Sequence, residues 1–281
     1  MQQDSQDFES IPTFIINLKD CVEKRRHISE LCQRYNLKTE FVDAVYGKKL
    51  TEEELAKIYR KDLALKRLKR ELSKGEIGCA LSHKKIYQHI VDKKIELALI
   101  LEDDVFFREN PQIFLKELIK ERVKFPAKWE IILLGHHSGS RLDNNTIPSI
   151  WSCKKLKNGY CLGRTSSLAY GTYGYLINQR GARRMLKNLF SIYLPLDRYT
   201  GDSRYTNFYC LFPPLIVIDE QFNLIENIII GERSRIVFNS KRLSLKEYIV
   251  GFLGLRRFKK LRRIKAWLCL MYKKIKPLKI Y

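Results

Sequence analysis

The chain has 281 residues, is 45% hydrophobic and carries a formal charge of +22. This allows one large α/β domain, or one domain with an appendage, and no run reaches the roughly 18 apolar residues of a membrane-spanning helix. The charge is uneven, with +13 on residues 241–281 and +9 on the 240 residues before them.

Seven cysteines, an odd number without a CxxC spacing, argue against a zinc site and against a full disulfide framework. Cys79 and Cys210 sit in apolar runs and read as small core residues. A reducing cytosol is the setting this suggests. The opening MQQDSQDFES is polar and acidic, unlike a signal peptide.

In chain order, Thr13–Leu18 (TFIINL) reads as the first strand. Asp20 can cap a helix to about Tyr35, with Val22, Ile28 and Leu31 on one face. Thr39–Val45 reads as a second strand, and Thr51 with Glu54 as a capping box opening a helix to Tyr59. Residues 57–74 are rich in Lys and Arg without obvious core content, as in an exposed helix or a loop over the site. Gly75–Val91 is a long helix by the spacing of Ile77, Leu81, Ile86 and Ile90.

The next stretch, LALILEDDVFF (Leu97–Phe107), organises the rest. Five apolar residues suit a strand buried on both faces. Glu102, Asp103 and Asp104 cannot share that core unpaired, so they emerge at the C-terminal edge, where open α/β sheets bind ligands. Clustered carboxylates favour a shared hard cation, magnesium or manganese. The rival reading is a solvated acidic turn.

Pro111–Arg122 follows as a helix, Trp129–Leu134 as a buried strand ending at Gly135-His136-His137, and Arg141–Ser167 as a polar loop and hairpin layer. Ala169–Ile177 reads as a strand, Asn178–Phe190 as a helix, and Ser191–Asn227 as connections with short apolar strands. Alternating strands and helices imply a mainly parallel, right-handed sheet. Neither Gly-rich phosphate-loop spacing occurs, which disfavours dinucleotide oxidoreductases and P-loop enzymes. The first βα turn, with Asn17, Leu18, Arg25 and Arg26, can hold a base or a phosphate. Ser82-His83 precedes the acidic strand, and His136-His137 ends the next one. Each histidine is equally readable as a structural residue.

The order FIINL, EKRRHI, EFVDAVYG, GEIGCALSHKKIYQHIV, ALILEDDV, ILLG, GTYGYLIN, GARRML and PLDRY resembles glycosyltransferase family 25, the bacterial lipooligosaccharide galactosyltransferase group. The resemblance covers about residues 11–230, with GCALSH and LEDDV as its specific pair. It implies a GT-A-like fold and a UDP-sugar donor, typically UDP-galactose. It also implies inversion to a β-linkage and an Asp-x-Asp-like motif for Mn2+ or Mg2+, met here by Glu102-Asp103-Asp104. On that pattern Asp104 and Asp103 hold the metal. Asn17, Leu18, Arg25, Ala44, Ser82, His83, Glu102 and Asp103 form the donor pocket. Inversion needs a group to take the acceptor hydroxyl's proton. Asp197 is the first candidate and Asp202 the second, each also readable as a cap or turn residue.

The expected organisation is a catalytic domain over 1–240 and a basic amphipathic helical tail over 241–281. In the tail Leu255, Phe258, Leu261, Ile264, Leu268, Met271 and Ile275 recur every three or four residues among Lys and Arg. Such a helix binds an anionic membrane surface or packs on the body. Together these features describe a cytoplasmic enzyme, peripheral on the inner membrane, acting on a lipid-linked oligosaccharide. UDP-glucose or a UDP-N-acetylhexosamine is the alternative donor, and nucleic-acid binding the rival of another class. Most of the excess charge lies in one segment and no zinc-finger or RNA-recognition signature occurs, so no nucleic-acid partner is expected.

Overall fold

A computed structural model describes residues 11–120, 125–126, 128–137, 152–156, 159–165 and 168–219. The basic segment 241–281 lies outside them. The chain opens with β1 (Thr13–Asn17), α1 (Val22–Arg34) and β2 (Thr39–Asp43). A 3₁₀ turn at Gly47–Lys49, α2 (Glu52–Ile58), α3 (Lys61–Leu68) and α4 (Lys74–Asp92) lead to β3 (Leu97–Glu102). Then come β4 (Val105–Phe107), α5 (Pro111–Lys120), β5 (Ile131–Leu133), β6 (Lys154–Lys155) and β7 (Cys161–Gly163). The described part ends with β8 (Gly174–Asn178), α6 (Gln179–Asn188), α7 (Leu196–Thr200), β9 (Phe208–Phe212) and β10 (Ile216–Ile218).

Among the described residues, eight strands form the central sheet in the order β2-β1-β3-β8-β5-β9-β7-β6. Six point the same way, while β8 and β7 run against them. The sheet is therefore mainly parallel in strand direction, but not the uninterrupted parallel array that simple alternation implies. The exception matters, because β8 is inserted antiparallel between β3 and β5. It brings its N-terminal end to the edge where β1 and β3 end. β4 leaves the sheet to pair with β10.

Both faces of β3 are covered, as its apolar run requires. Ala98 and Ile100 pack with Ile77, Ile86, Met185 and Leu196 on one face. Leu99 and Leu101 pack with Ile28, Leu31, Phe114 and Leu115 on the other. Helices α4, α6 and α7 thus cover one side, and α1 and α5 the second. Gly78 shows how closely α4 docks: a Cβ there would stand 2.6 Å from the Val45 carbonyl oxygen and 2.8 Å from the Gly47 nitrogen.

Several local expectations need correction. Asp20 does not cap α1: Cys21 holds that position without a side-chain cap bond. Val22 is 68% exposed, so the buried face of α1 starts with Ile28. Residues 57–74 do carry core content, since Ala64 and Leu72 are buried and Tyr59 pairs with Ile192. The Thr51–Glu54 capping box forms as read, and Ser73 with Glu76 makes a second one opening α4. The expected 169–177 strand is regular only from Gly174, and β8 runs one residue further to Asn178, which caps α6 through the Gly181 amide. Cys153, just before β6, and Cys161, the first residue of β7, form a disulfide, so one pair is joined, and the other cysteines among the described residues form none. Cys210 is buried as read, whereas Cys79 is only partly covered.

Candidate active site

The register of parallel β1 and β3 pairs Ile16 with Glu102. Asn17, one residue further, therefore stands beside Asp103 at the C-terminal edge. Asn17 is buried, and its Nδ2 donates to Asp103 Oδ2 at 2.7 Å and to the Cys21 carbonyl oxygen at 3.3 Å. Its Oδ1 accepts from the Arg25 guanidinium at 3.3 Å, which also lies 4.0 Å from the Phe41 ring centroid. The Asn17 carbonyl oxygen accepts from the Ala44 amide, and that of Leu18 from the Cys21 amide, both at 2.9 Å. These two residues thus shape the first βα turn through their backbone.

Asp103 and Asp104 form the turn between β3 and β4. Lys24 Nζ lies 3.8 Å from an Asp103 oxygen and 3.4 Å from Asp104 Oδ2. The three side chains are only 12%, 14% and 15% exposed, so this is a shielded charge cluster rather than the solvated acidic turn of the rival reading. Lys24 offsets the repulsion between the two acids.

On the other side of Glu102, antiparallel β8 delivers Thr172. The Glu102 amide donates to the Tyr173 carbonyl oxygen at 2.9 Å. The Thr172 hydroxyl lies 2.8 Å from Glu102 Oε1 and 3.3 Å from Asp197 Oδ1, bridging two carboxylates from distant parts of the chain. Burial pushes the Glu102 carboxyl up, but His83, Thr172 and Lys24 together hold it below its ordinary value. Asp197 reaches the group from the first turn of α7.

Asp202 stands apart in its bonding. Its buried carboxylate is held by the Arg204 guanidinium and by the Arg204 amide at 3.0 Å. Burial pushes its pKa up, and those bonds outweigh it to bring the group below the ordinary carboxylate range.

His83 is fully buried, with Nδ1 2.7 Å from the Tyr175 hydroxyl, which is 2.6 Å from that of Tyr87. Its Nε2 lies 3.8 Å from Glu102 Oε1. Ser82 uses its hydroxyl inside the fold, accepting from the Val45 amide at 2.8 Å and donating to the Gly78 carbonyl at 2.7 Å. It fixes α4 against the loop after β2. His136 is a core residue: its ring pairs with the Leu211 carbonyl oxygen at 2.7 Å, and burial pushes its pKa down to about 4.

The structure thus brings Asn17, Glu102, Asp103, Asp104 and Asp197 to one sheet edge, with Arg25 and His83 against them. Lys24 and Thr172 join them unforeseen. A lysine inside EKRR and a threonine between Gly171 and Tyr173 carry no signal of their own. The oxygen-rich pair Asp103 and Asp104 suits a hard divalent cation.

A family model, glycosyltransferase family 25 (LPS biosynthesis protein), matches residues 10–200. The chain belongs to glycosyltransferase family 25. Over 209 residues it is 31% identical to procollagen galactosyltransferase 1-B of Xenopus laevis, covering 70% of this chain and 31% of the relative. Procollagen galactosyltransferase 2 of Homo sapiens is 27% identical over 205 residues, covering 70% and 30%. A glycosyltransferase 25 family member of Drosophila melanogaster is 31% identical over 201 residues, covering 66% and 29%. The chain spans about three tenths of the length of these curated relatives. Among solved structures, A197 from STIV overlaps 72% of this chain and 81% of its own at 10% identity, with a TM-score of 0.39, a likeness too loose to carry an argument.

Proposed function

We propose that this chain is a nucleotide-sugar-dependent hexosyltransferase, with galactose from UDP-galactose as the transferred sugar. The observation that carries this is the convergence of two acidic groups on one sheet edge. One is Asp103–Asp104 with Asn17 and Lys24; the other is Glu102–Thr172–Asp197. Membership of family 25 and the procollagen galactosyltransferases among its relatives support the galactosyl choice.

In this reading Asp103 and Asp104 hold Mn2+ or Mg2+, which as a Lewis acid stabilises negative charge on a leaving diphosphate. Asn17 fixes the Asp103 rotamer and Arg25 fixes Asn17, so the first βα turn and the acidic turn act as one rigid wall. Leu18 and Ala44 shape that wall, and Ser82 anchors the loop carrying Ala44. Glu102, oriented by Thr172 and backed by His83, faces the donor sugar. Asp197 takes the proton of the acceptor hydroxyl as its oxygen bonds to the anomeric carbon and the bond from that carbon to the UDP oxygen breaks on the opposite face, a single displacement that inverts the centre. The Arg204-bound Asp202 is a poor proton acceptor and serves the fold.

The acceptor we propose is a lipid-linked oligosaccharide at an anionic inner-membrane surface, reached from the cytoplasm. The family description and the +13 on residues 241–281 support it. No helix among the described residues is long and apolar enough to cross a membrane.

The test measures UDP release from UDP-galactose, UDP-glucose and UDP-N-acetylhexosamines with Mn2+ or Mg2+, offering lipooligosaccharide or a collagen-like peptide as acceptor. Galactose on the lipid-linked glycan in β-linkage is the expected product. Consumption of another donor moves the assignment within the fold. No donor turnover, with thermal stabilisation by oligonucleotide instead of UDP, overturns it.

A further inference from the structure

Cys79 and His83 are four residues apart on α4, a spacing that places two side chains on one helix face. Glu102, at the end of β3, meets that face. One ligand atom from each of Cys79, His83 and Glu102 lies within 4.8 Å of the other two. We infer that these three residues form a binding site for a borderline-soft divalent cation of the zinc class, separate from the oxygen site at Asp103 and Asp104.

The donor set is the first argument. A sulfur, an imidazole nitrogen and a single carboxylate select zinc or cobalt over magnesium, which requires oxygen ligands. The second is the state of His83. Its side chain is 0% exposed, and its Nε2 has no hydrogen-bond partner. Buried polar atoms are nearly always hydrogen-bonded, and this nitrogen has only a carboxylate oxygen within ion-pair reach and a thiol in the same cluster, an arrangement with room for an ion between them. The 3.8 Å from Nε2 to Glu102 Oε1 is too long for a hydrogen bond. It is close to the ~3.3–3.5 Å separating two tetrahedral ligands that each sit about 2.0–2.1 Å from one zinc ion.

The third argument is the surrounding support. The other ring nitrogen, Nδ1, is tied to the Tyr175 hydroxyl, itself tied to Tyr87. Such a bond orients the ring and leaves Nε2 to the metal. Three protein ligands also leave a fourth position for water or a substrate oxygen. Glu102 connects this position to Thr172 and Asp197. The absence of any CxxC pair hid the site, because its spacing is helical and its third ligand lies on a strand.

The test is a cobalt titration of the full-length protein without sugar nucleotide, followed by absorption. The expected result is a near-ultraviolet thiolate-to-cobalt band that saturates at one equivalent, persists in excess Mg2+ and disappears with Zn2+. In Cys79→Ser the band is lost. In Glu102→Gln it remains, but cobalt binds at least ~10-fold more weakly. No thiolate band in the wild-type protein, or a band unchanged in Cys79→Ser, overturns the site. Displacement by Mg2+ overturns its separation from Asp103 and Asp104. If Cys79→Ser does not fold, Glu102→Gln and the wild-type spectrum decide. Neither donor nor acceptor enters the titration, so its failure is distinct from failure of the transferase reading.

Discussion

The hydroxyl of Thr172 lies 2.8 Å from Glu102 Oε1 and 3.3 Å from Asp197 Oδ1. It joins a carboxylate from the end of β3 to one that follows 95 positions later. Only an antiparallel β8 makes this possible: reversed, it would put Asn178, not Thr172, at that edge. In the proposed reaction Asp197 accepts a proton, and Asn in its place keeps shape and the Thr172 contact. Asp197→Asn is expected to lower turnover by ~10²–10⁴-fold with donor affinity little changed. Collapse of UDP-sugar affinity at constant turnover would make Asp197 a donor-binding residue.

Asp202 gives the opposite expectation. Asp202→Asn loses charge-assisted bonds to Arg204 at a buried position. It should cost about 1–2 kcal/mol of stability and leave turnover within a few fold. Denaturant melts alongside initial rates separate the two aspartates, and a turnover loss as large as that of Asp197→Asn would reverse the assignment.

For the pair proposed to hold the metal, Asp104→Ala removes a carboxylate from a turn rather than core volume. Lys24 keeps Asp103 as a partner. Transfer is expected to fall by at least ~10²-fold while far-ultraviolet circular dichroism stays unchanged. Near wild-type rates with Mn2+ present would remove these acids from the chemistry.

The legible parts of the fold were those set by local physics. The apolar run of β3, the Thr51–Glu54 box and the period of α4 were all visible, because each depends on neighbours within four residues. The Ser73–Glu76 box has the same spacing and the same local cause. The direction of β8 was not legible, since antiparallel insertion between two parallel strands depends on pairing over 70 residues. Among the site residues, the three acids announced themselves by sitting at the end of an apolar strand. Thr172 and Lys24 did not, because their residue types occur everywhere on surfaces. Cys79 looks like core filling because its neighbours are apolar, while its four-residue spacing to His83 gains meaning only once Glu102 is brought to the same helix face.

Tyr175 tests the buried polar layer behind the site. Its hydroxyl touches both His83 and Tyr87, and all three side chains are fully buried. Tyr175→Phe strands two polar groups and should cost about 1–3 kcal/mol. Adding Tyr87→Phe removes one of the stranded groups. The double variant should therefore be no less stable than Tyr175→Phe, giving a non-additive cycle. Strict additivity in urea melts would mean that the hydroxyls do not share one network.

The last expectation concerns pH and His136. Burial brings this imidazole from its ordinary 6.5 to about 4, against the opposing bond to the Leu211 carbonyl. The folded chain thus keeps the ring neutral where the unfolded chain already binds a proton. Stability from this group is complete above about pH 6.5, falls as pH drops below it, and stops falling below about 4. Carboxylates confuse the lower part of that range, because Glu102 and Asp202 are held below their ordinary values and lose stability on protonation there. The informative window is therefore pH 6.5 to 5, where the His136 contribution should change by about 1.5 kcal/mol. His136→Gln keeps an N–H donor for Leu211 without titrating near neutrality. Its stability, lower at pH 7, should depend less on pH than the wild type across this window in urea melts. Parallel slopes for the two proteins would show that His136 is not the group being protonated.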